Sequence, residues 1–311
     1  MQNIIHGANP ENLYHAFNIP MPDRIIDFST NVNVLKWPKV NINLEKLASS
    51  YPDIECSRLK QIISEREGIS QQRILFTNGI NQAIFLLARL FENDTAILQP
   101  NYSEYKRAFK NAHDIFTLED IGQFQNIIIT NPNNPTGKFI KLAEVISSFP
   151  DKIFIVDEAY IDFLREIEPE RLCDFDNVII LRSLTKIFHL SGVRIGYVIA
   201  NEQIISALKN FMPTWSVNAI AQELASQFLL NEDFCMRTRN FYRENTPKFM
   251  NAIRDLGFDV MSSDVNYFLI KVANDIETIK FLLKSGIVVR HTRNFAGLQA
   301  EEFKPDRLLP P

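Results

Sequence analysis

Ile153-Phe154-Ile155-Val156-Asp157-Glu158-Ala159-Tyr160 is the stretch on which the fold turns. A run of apolar residues ends abruptly in a carboxylate, as a strand buried on both faces does when it reaches a sheet edge. Segments of the same kind stand on either side of it at Ile74–Phe76, Ala96–Gln99, Ile127–Thr130, Val178–Leu181 and Ile195–Ala200. Between several of them lie segments of helical period, such as Gln82–Phe91 and Leu142–Phe149. Apolar strands separated by helices predict an α/β fold with a mainly parallel sheet covered by helices.

After Ala200 the pattern turns to a long helical region, Glu202–Phe211 and then Asn218–Leu256, with interruptions expected near Met212–Ser216 and at Pro247. Tyr267–Val272 and Ile287–Arg290 read as strands flanking a helix at Ile276–Ser285, which makes a smaller α+β part. At 311 residues the chain is long enough for one large domain and one smaller one. The expected division is an N-terminal arm or part of the small domain over 1–30, with Ile19–Pro22 leading into the fold, then a large domain over 31–215 and a small domain over 216–311.

Composition narrows the function classes. Thirty-three Lys plus Arg against 37 Asp plus Glu gives a net charge of −4, without the basic excess of a nucleic-acid binder. No apolar stretch reaches the ~20 residues of a membrane span, and Met1–Pro10 lacks the apolar core of a signal peptide, so a soluble cytoplasmic protein is expected. Cys56, Cys173 and Cys235 form no disulfide framework, and the five histidines include no pair at helical ligand spacing, so no metal site is expected.

In open α/β sheets ligands gather beyond the carboxyl ends of the strands, so the residues after each strand carry the functional reading. Thr77-Asn78-Gly79-Ile80-Asn81-Gln82 is a glycine turn into a helix, whose exposed amides suit a phosphate. Pro100-Asn101-Tyr102-Ser103-Glu104-Tyr105 brings aromatic rings to the edge, and Asn131-Pro132-Asn133-Asn134-Pro135-Thr136-Gly137 is a rigid turn in which an Asn offers a donor. Asp157 needs a cationic or hydrogen-bonding partner if it leaves a buried strand. Arg182-Ser183-Leu184-Thr185-Lys186 places an amine suited to condensing with an aldehyde, and Arg194, eight residues on, suits a phosphate. Taken singly each has a plain reading as a turn, a cap or a solvated loop residue. Together they supply an amine, an anion for a ring nitrogen, an aromatic face, a donor and a phosphate cradle, the inventory that pyridoxal phosphate requires.

With Asn131–Gly137, Asp157–Tyr160 and Ser183–Lys186 plus Arg194 in this order, the sequence resembles the class I/II aminotransferases of the fold type I pyridoxal phosphate family. Within it the chain is most similar to the histidinol-phosphate aminotransferase and threonine-phosphate decarboxylase branch, from about His6 to Leu298. The resemblance implies a pyridoxal 5'-phosphate enzyme with Lys186 as Schiff-base lysine and proton shuttle. It implies that Asp157 pairs with the ring nitrogen, Asn134 and Tyr160 bind the ring oxygen, and Tyr102 stacks on the ring. Phosphate would lie on Gly79, Ile80 and Asn81, closed by Ser183 and Arg194 and by Tyr51 of a partner subunit in a homodimer. Arg290 and Arg307 would bind an anionic amino substrate.

Two departures qualify these expectations. Ile80, Asn81 and Gln82 stand where relatives carry a small residue and an acid, and the sequence ends at Pro311, so Arg307 is expected on a shortened tail. The reaction expected is transamination of an amino acid or phosphorylated amino compound. His6-Gly7-Ala8-Asn9, Asp27–Asn33, Ser103-Glu104-Tyr105 and Leu184-Thr185-Lys186 lean towards a threonine-phosphate decarboxylase instead. A cofactor-binding relative with little catalysis is the third reading.

Overall fold

A computed structural model describes residues 7–165 and 167–298. His6 and Arg307 lie outside the described residues. Its centre is a seven-stranded sheet built from β2 (Ile74–Thr77), β3 (Thr95–Leu98), β4 (His113–Ile115), β5 (Asn126–Thr130), β6 (Ile153–Asp157), β7 (Val178–Ser183) and β8 (Gly196–Ile199). The spatial order is β2-β8-β7-β6-β5-β3-β4. The pairings β7–β6, β6–β5, β5–β3 and β3–β4 are parallel, whereas β8 runs antiparallel to both its neighbours.

Every residue of β2, β5 and β8 is buried, which is why these strands read as apolar runs without alternation. The helix Gly79–Phe91 lays Ala83, Ile84, Leu87 and Ala88 on the sheet at helical spacing. The main core extends past the sheet to Val217, Leu224, Phe228, Phe234 and Tyr242, so the helices that follow residue 215 pack on it directly.

A second cluster joins Leu13 and Tyr14, from the helix Pro10–Phe17, to Ile279, Leu283 and Val288. The N-terminal β1 (Ile26–Phe28) pairs in parallel with β11 (Ile287–Val289). A further pair, β9 (Asp259–Val260) with β10 (Ile270–Lys271), is antiparallel. Tyr14 Oη donates to the Leu283 carbonyl at 3.0 Å, satisfying a hydroxyl that burial would otherwise penalise.

Three local expectations are corrected. The helical run expected over Asn218–Leu256 is two helices, Ala219–Leu229 and Glu232–Asp255, because Asn231 caps the second by accepting from Phe234 N at 2.9 Å. Pro247 does not interrupt that second helix. Its buried residues Phe234, Thr238, Tyr242, Thr246 and Met250 recur every four positions, and this stripe holds the helix through the proline. The strand expected over Tyr267–Val272 shrinks to Ile270–Lys271.

Candidate active site

Strand register gathers the functional residues at one sheet edge. Parallel β5 and β6 set Thr130 beside Asp157. Because β8 is antiparallel, its first residue, Gly196, pairs with the last residues of both neighbours, Thr77 of β2 and Ser183 of β7. The glycine turn after β2 and the lysine segment after β7 therefore meet across one short strand.

Gly79 opens its helix at φ +69°, a conformation in which a side chain is strained. A Cβ placed there would lie 2.7 Å from Arg194 Nη2, so the missing side chain is what lets the guanidinium approach the helix start. The first-turn amides of Gly79, Ile80 and Asn81 have no acceptor within the helix, as at any helix start. Gln82 Oε1 instead accepts from Asn78 N at 2.8 Å, so Gln82 caps the turn. Arg194 is fixed by donating from Nη1 to the Ser191 carbonyl at 2.9 Å. Ser183 Oγ lies 2.7 Å from Thr185 Oγ1 beneath the same cluster.

Asp157 is buried, with Oδ2 accepting from Tyr105 Oη at 2.8 Å and Oδ1 from Ala159 N at 2.9 Å. Burial pushes its carboxyl up to about 6, against the pull of those two donors and the Lys186 ammonium. Lys186, half-buried in the short helix Leu184–Ile187, holds Nζ 5.8 Å from the centroid of the Tyr160 ring. Its backbone carbonyl accepts from Asn33 N at 2.9 Å, and Asn33 Nδ2 donates to the Ile187 carbonyl at 2.8 Å and to Thr238 Oγ1 at 2.9 Å. Buried Asn33 thus ties the lysine segment to the helix Glu232–Asp255.

The Asn-Pro turn is held by its other asparagines. Asn131 exchanges two hydrogen bonds with the backbone of Ile140, and Asn133 donates to the Pro100 carbonyl at 2.8 Å while accepting from Thr136. Asn134 is half-buried, and its side chain makes no hydrogen bond among the described residues, so it remains available to a ligand. Tyr160 is buried and packs edge-on against Tyr267 at 4.8 Å between centroids. Tyr102 heads the helix Ser103–Ala108, and Asn81 Nδ2 reaches its hydroxyl at 3.5 Å.

The remaining expected residues fall in three places. Arg290 lies near Tyr102, its guanidinium 5.8 Å from the Phe295 centroid and its Nη2 donating to Asn294 Oδ1 at 3.1 Å. Tyr51 lies on the surface, 82% exposed, with its ring 4.7 Å from that of Trp215. Arg307 lies outside the described residues. Tyr105, Tyr267 and Asn33 were not singled out from sequence as site residues. Tyr105 had one signal, its place in the segment Pro100–Tyr105 that brings aromatic rings to the sheet edge.

The family model for aminotransferase class I and II matches residues 117–303. The chain belongs to this family. The histidinol-phosphate aminotransferase from Caldicellulosiruptor saccharolyticus is 30% identical over 86% of this chain and 84% of its own. The structure is similar to that of the histidinol-phosphate aminotransferase from Clostridium acetobutylicum, with a TM-score of 0.82 at 28% identity over 88% of this chain and 92% of that one. It is also similar to L-threonine-O-3-phosphate decarboxylase from Porphyromonas gingivalis, with a TM-score of 0.77 at 26% identity over the same shares.

The fold type I architecture and the dependence on pyridoxal 5'-phosphate expected from sequence hold for this class I and II aminotransferase. Its own residues fit that group at both ends. The gap above Gly79, bordered by Arg194 and a helix start, suits a phosphate. Buried Asp157, held as an acceptor by Tyr105 and Ala159, suits a cationic ring nitrogen. Among the described residues no group of His, Cys, Asp or Glu is arranged to hold a metal, and no helix is long and apolar enough to cross a membrane.

Proposed function

We propose that this aminotransferase acts on a phosphorylated or otherwise acidic amino compound, in the manner of the histidinol-phosphate aminotransferases it is similar to. The observation that carries the reading is the meeting of Lys186, Asp157 and the Gly79–Arg194 cradle at one sheet edge. Pyridoxal phosphate, when bound, supplies an aldehyde that condenses with amines and a ring that withdraws electrons from the substrate.

In this reading Lys186 Nζ forms the link to the cofactor and then takes and returns the substrate's proton. Its position over the Tyr160 ring supports that role. Asp157 holds a proton at the ring nitrogen. Tyr160 and Asn134 bind the ring oxygen, and Tyr102 covers one face. The amides of Gly79, Ile80 and Asn81 hold the phosphate, with Ser183 and Arg194 around it. Arg290, near Tyr102, binds the substrate's anionic group. Arg307 is assigned the substrate carboxylate on the resemblance alone, which makes the group taken by Arg290 the second anion.

We assign the working form to a homodimer in the cytoplasm, with Tyr51 of each copy reaching the other's phosphate. The exposed Tyr51–Trp215 aromatic pair supports such an interface. The division into a large and a small domain is retained as part of this reading: the second apolar cluster supports a separate smaller part, while Val217, Leu224, Phe228, Phe234 and Tyr242 belong to the main core.

The test is a screen of the protein loaded with pyridoxal phosphate against histidinol phosphate, threonine phosphate and common amino acids. Conversion of the bound cofactor's absorption to the amine form, without CO₂, is the expected result. Release of CO₂ from threonine phosphate would replace transamination by decarboxylation. No change with any donor would leave a cofactor-binding relative.

A further inference from the structure

Asp157 reaches the site with both oxygens already held from the protein side. Oδ1 takes the Ala159 amide at 2.9 Å, and Oδ2 takes the Tyr105 hydroxyl at 2.8 Å. The amide is a backbone group, present whatever the residue. The hydroxyl is a side chain placed there at a cost, since Tyr105 is fully buried.

The placement of Tyr105 is itself supported. Tyr105 N donates to the Tyr102 carbonyl at 3.1 Å, and Tyr102 N donates to Asn101 Oδ1 at 2.7 Å. Asn101 Oδ1 also accepts from Thr130 Oγ1 at 2.7 Å, and Thr130 is the register partner of Asp157. A closed set of contacts thus runs from Asp157 across the sheet to Asn101 and back through Tyr105. A phenol aimed by such a set at one carboxylate oxygen fixes where the other lone pairs point, and it favours the ionised carboxylate over the neutral acid.

We propose that Tyr105 is a positioning residue for the reaction: through its hydrogen bond to Oδ2 it keeps Asp157 ionised and aimed, and so sets how firmly a proton is held at the cofactor's ring nitrogen. The proposal rests on the reading that Asp157 faces that nitrogen. The other titratable groups facing Asp157 are Lys186 from the segment after β7, Tyr102 from the segment before the helix Ser103–Ala108, and Tyr267 from the segment before β10. Among the described residues only Tyr105 and Ala159 make hydrogen bonds to its carboxylate.

Tyr105→Phe keeps the ring and removes the hydroxyl. The enzyme is loaded with pyridoxal phosphate carrying ¹⁵N in its ring, and the ¹⁵N chemical shift is followed against pH beside activity. The expected result is loss of the ring proton about one pH unit lower than in wild type, with kcat reduced about tenfold and KM changed little. Replacing Tyr105 by a fluorotyrosine, whose more acidic phenol is a stronger donor, shifts the ring titration the opposite way and preserves the fold if Phe does not. Wild-type ¹⁵N titrations in both variants would overturn the proposal. Asp157→Asn separates the underlying reading: if its ring nitrogen also titrates as in wild type, Asp157 does not face the nitrogen. A changed titration in Asp157→Asn with none in the Tyr105 variants removes Tyr105 alone.

Discussion

Arg182 Nε stands 2.5 Å from Glu158 Oε2, with the Glu158 side chain almost wholly buried and that of Arg182 mostly so. Glu158 directly follows Asp157 and Arg182 directly precedes Ser183, so alternation along the strands turns this pair to the side of the sheet opposite the site residues. Burial raises the Glu158 carboxyl, and the adjoining guanidinium opposes that rise. The pair therefore joins the ends of β6 and β7 directly behind the site. Glu158→Ala should destabilise the protein by about 3–5 kcal/mol, because it strands a buried guanidinium. Replacing both residues by apolar ones of similar size should cost less. Urea unfolding of the two variants measures the difference, and equal losses would count against the pair.

Lys186→Ala should abolish the absorption band of the lysine-bound cofactor and lower turnover by about 10²–10⁴-fold. Spectra of the reconstituted variant decide this, since an unchanged band would remove Lys186 from its role.

Much of this site was legible in order but not in contact. The apolar runs located β2, β3, β5, β6, β7 and β8 because those strands are buried on both faces. Edge strand β4 escaped notice, since it is three residues long and its His113 and Asp114 are exposed. The direction of β8 was equally invisible, because an apolar run reads the same both ways, yet it brings Arg194 to Gly79. Tyr105 and Asn33 escaped for a related reason. Their partners Asp157 and Ile187 are far along the chain, and local pattern carries no record of a distant hydrogen bond.

The Asp157 carboxyl makes the stability of the cofactor-free protein depend on pH. Burial lifts it to about 6, whereas an unfolded chain titrates near the usual ~3.9. The native state thus binds this proton more tightly, and the contribution of Asp157 to stability falls as pH rises from about 4 to about 6. The size is about 3 kcal/mol, at 1.36 kcal/mol per pH unit. Asp157→Asn should remove that much of the pH dependence, as urea unfolding at pH 4 and pH 7 would reveal. An unaltered dependence would mean that the carboxyl is not held as described.

Gly79→Ala puts a methyl 2.7 Å from Arg194 Nη2 on a backbone at φ +69°. The strained conformation should cost about 1–2 kcal/mol, and displacement of the guanidinium should weaken pyridoxal phosphate binding about tenfold. Equilibrium dialysis of cofactor against the variant measures the second effect separately from the first.

Tyr51→Phe should weaken cofactor retention by a few-fold, since it removes one hydroxyl from the proposed phosphate site while leaving the ring against Trp215. The same substitution should leave the oligomeric state unchanged by light scattering. Cofactor affinity equal to wild type would take Tyr51 out of the site.

The pairing of Gly196 with both Thr77 and Ser183 has a consequence for how the protein is born. On the ribosome the glycine turn is made early, while the guanidinium that completes its cradle arrives only after the rest of the sheet has been synthesised. A nascent chain stopped after β7 and before Arg194 therefore exposes half an anion site and a sheet edge where β8 belongs. Firm capture of the cofactor is then a late event, and it certifies that the central sheet has closed.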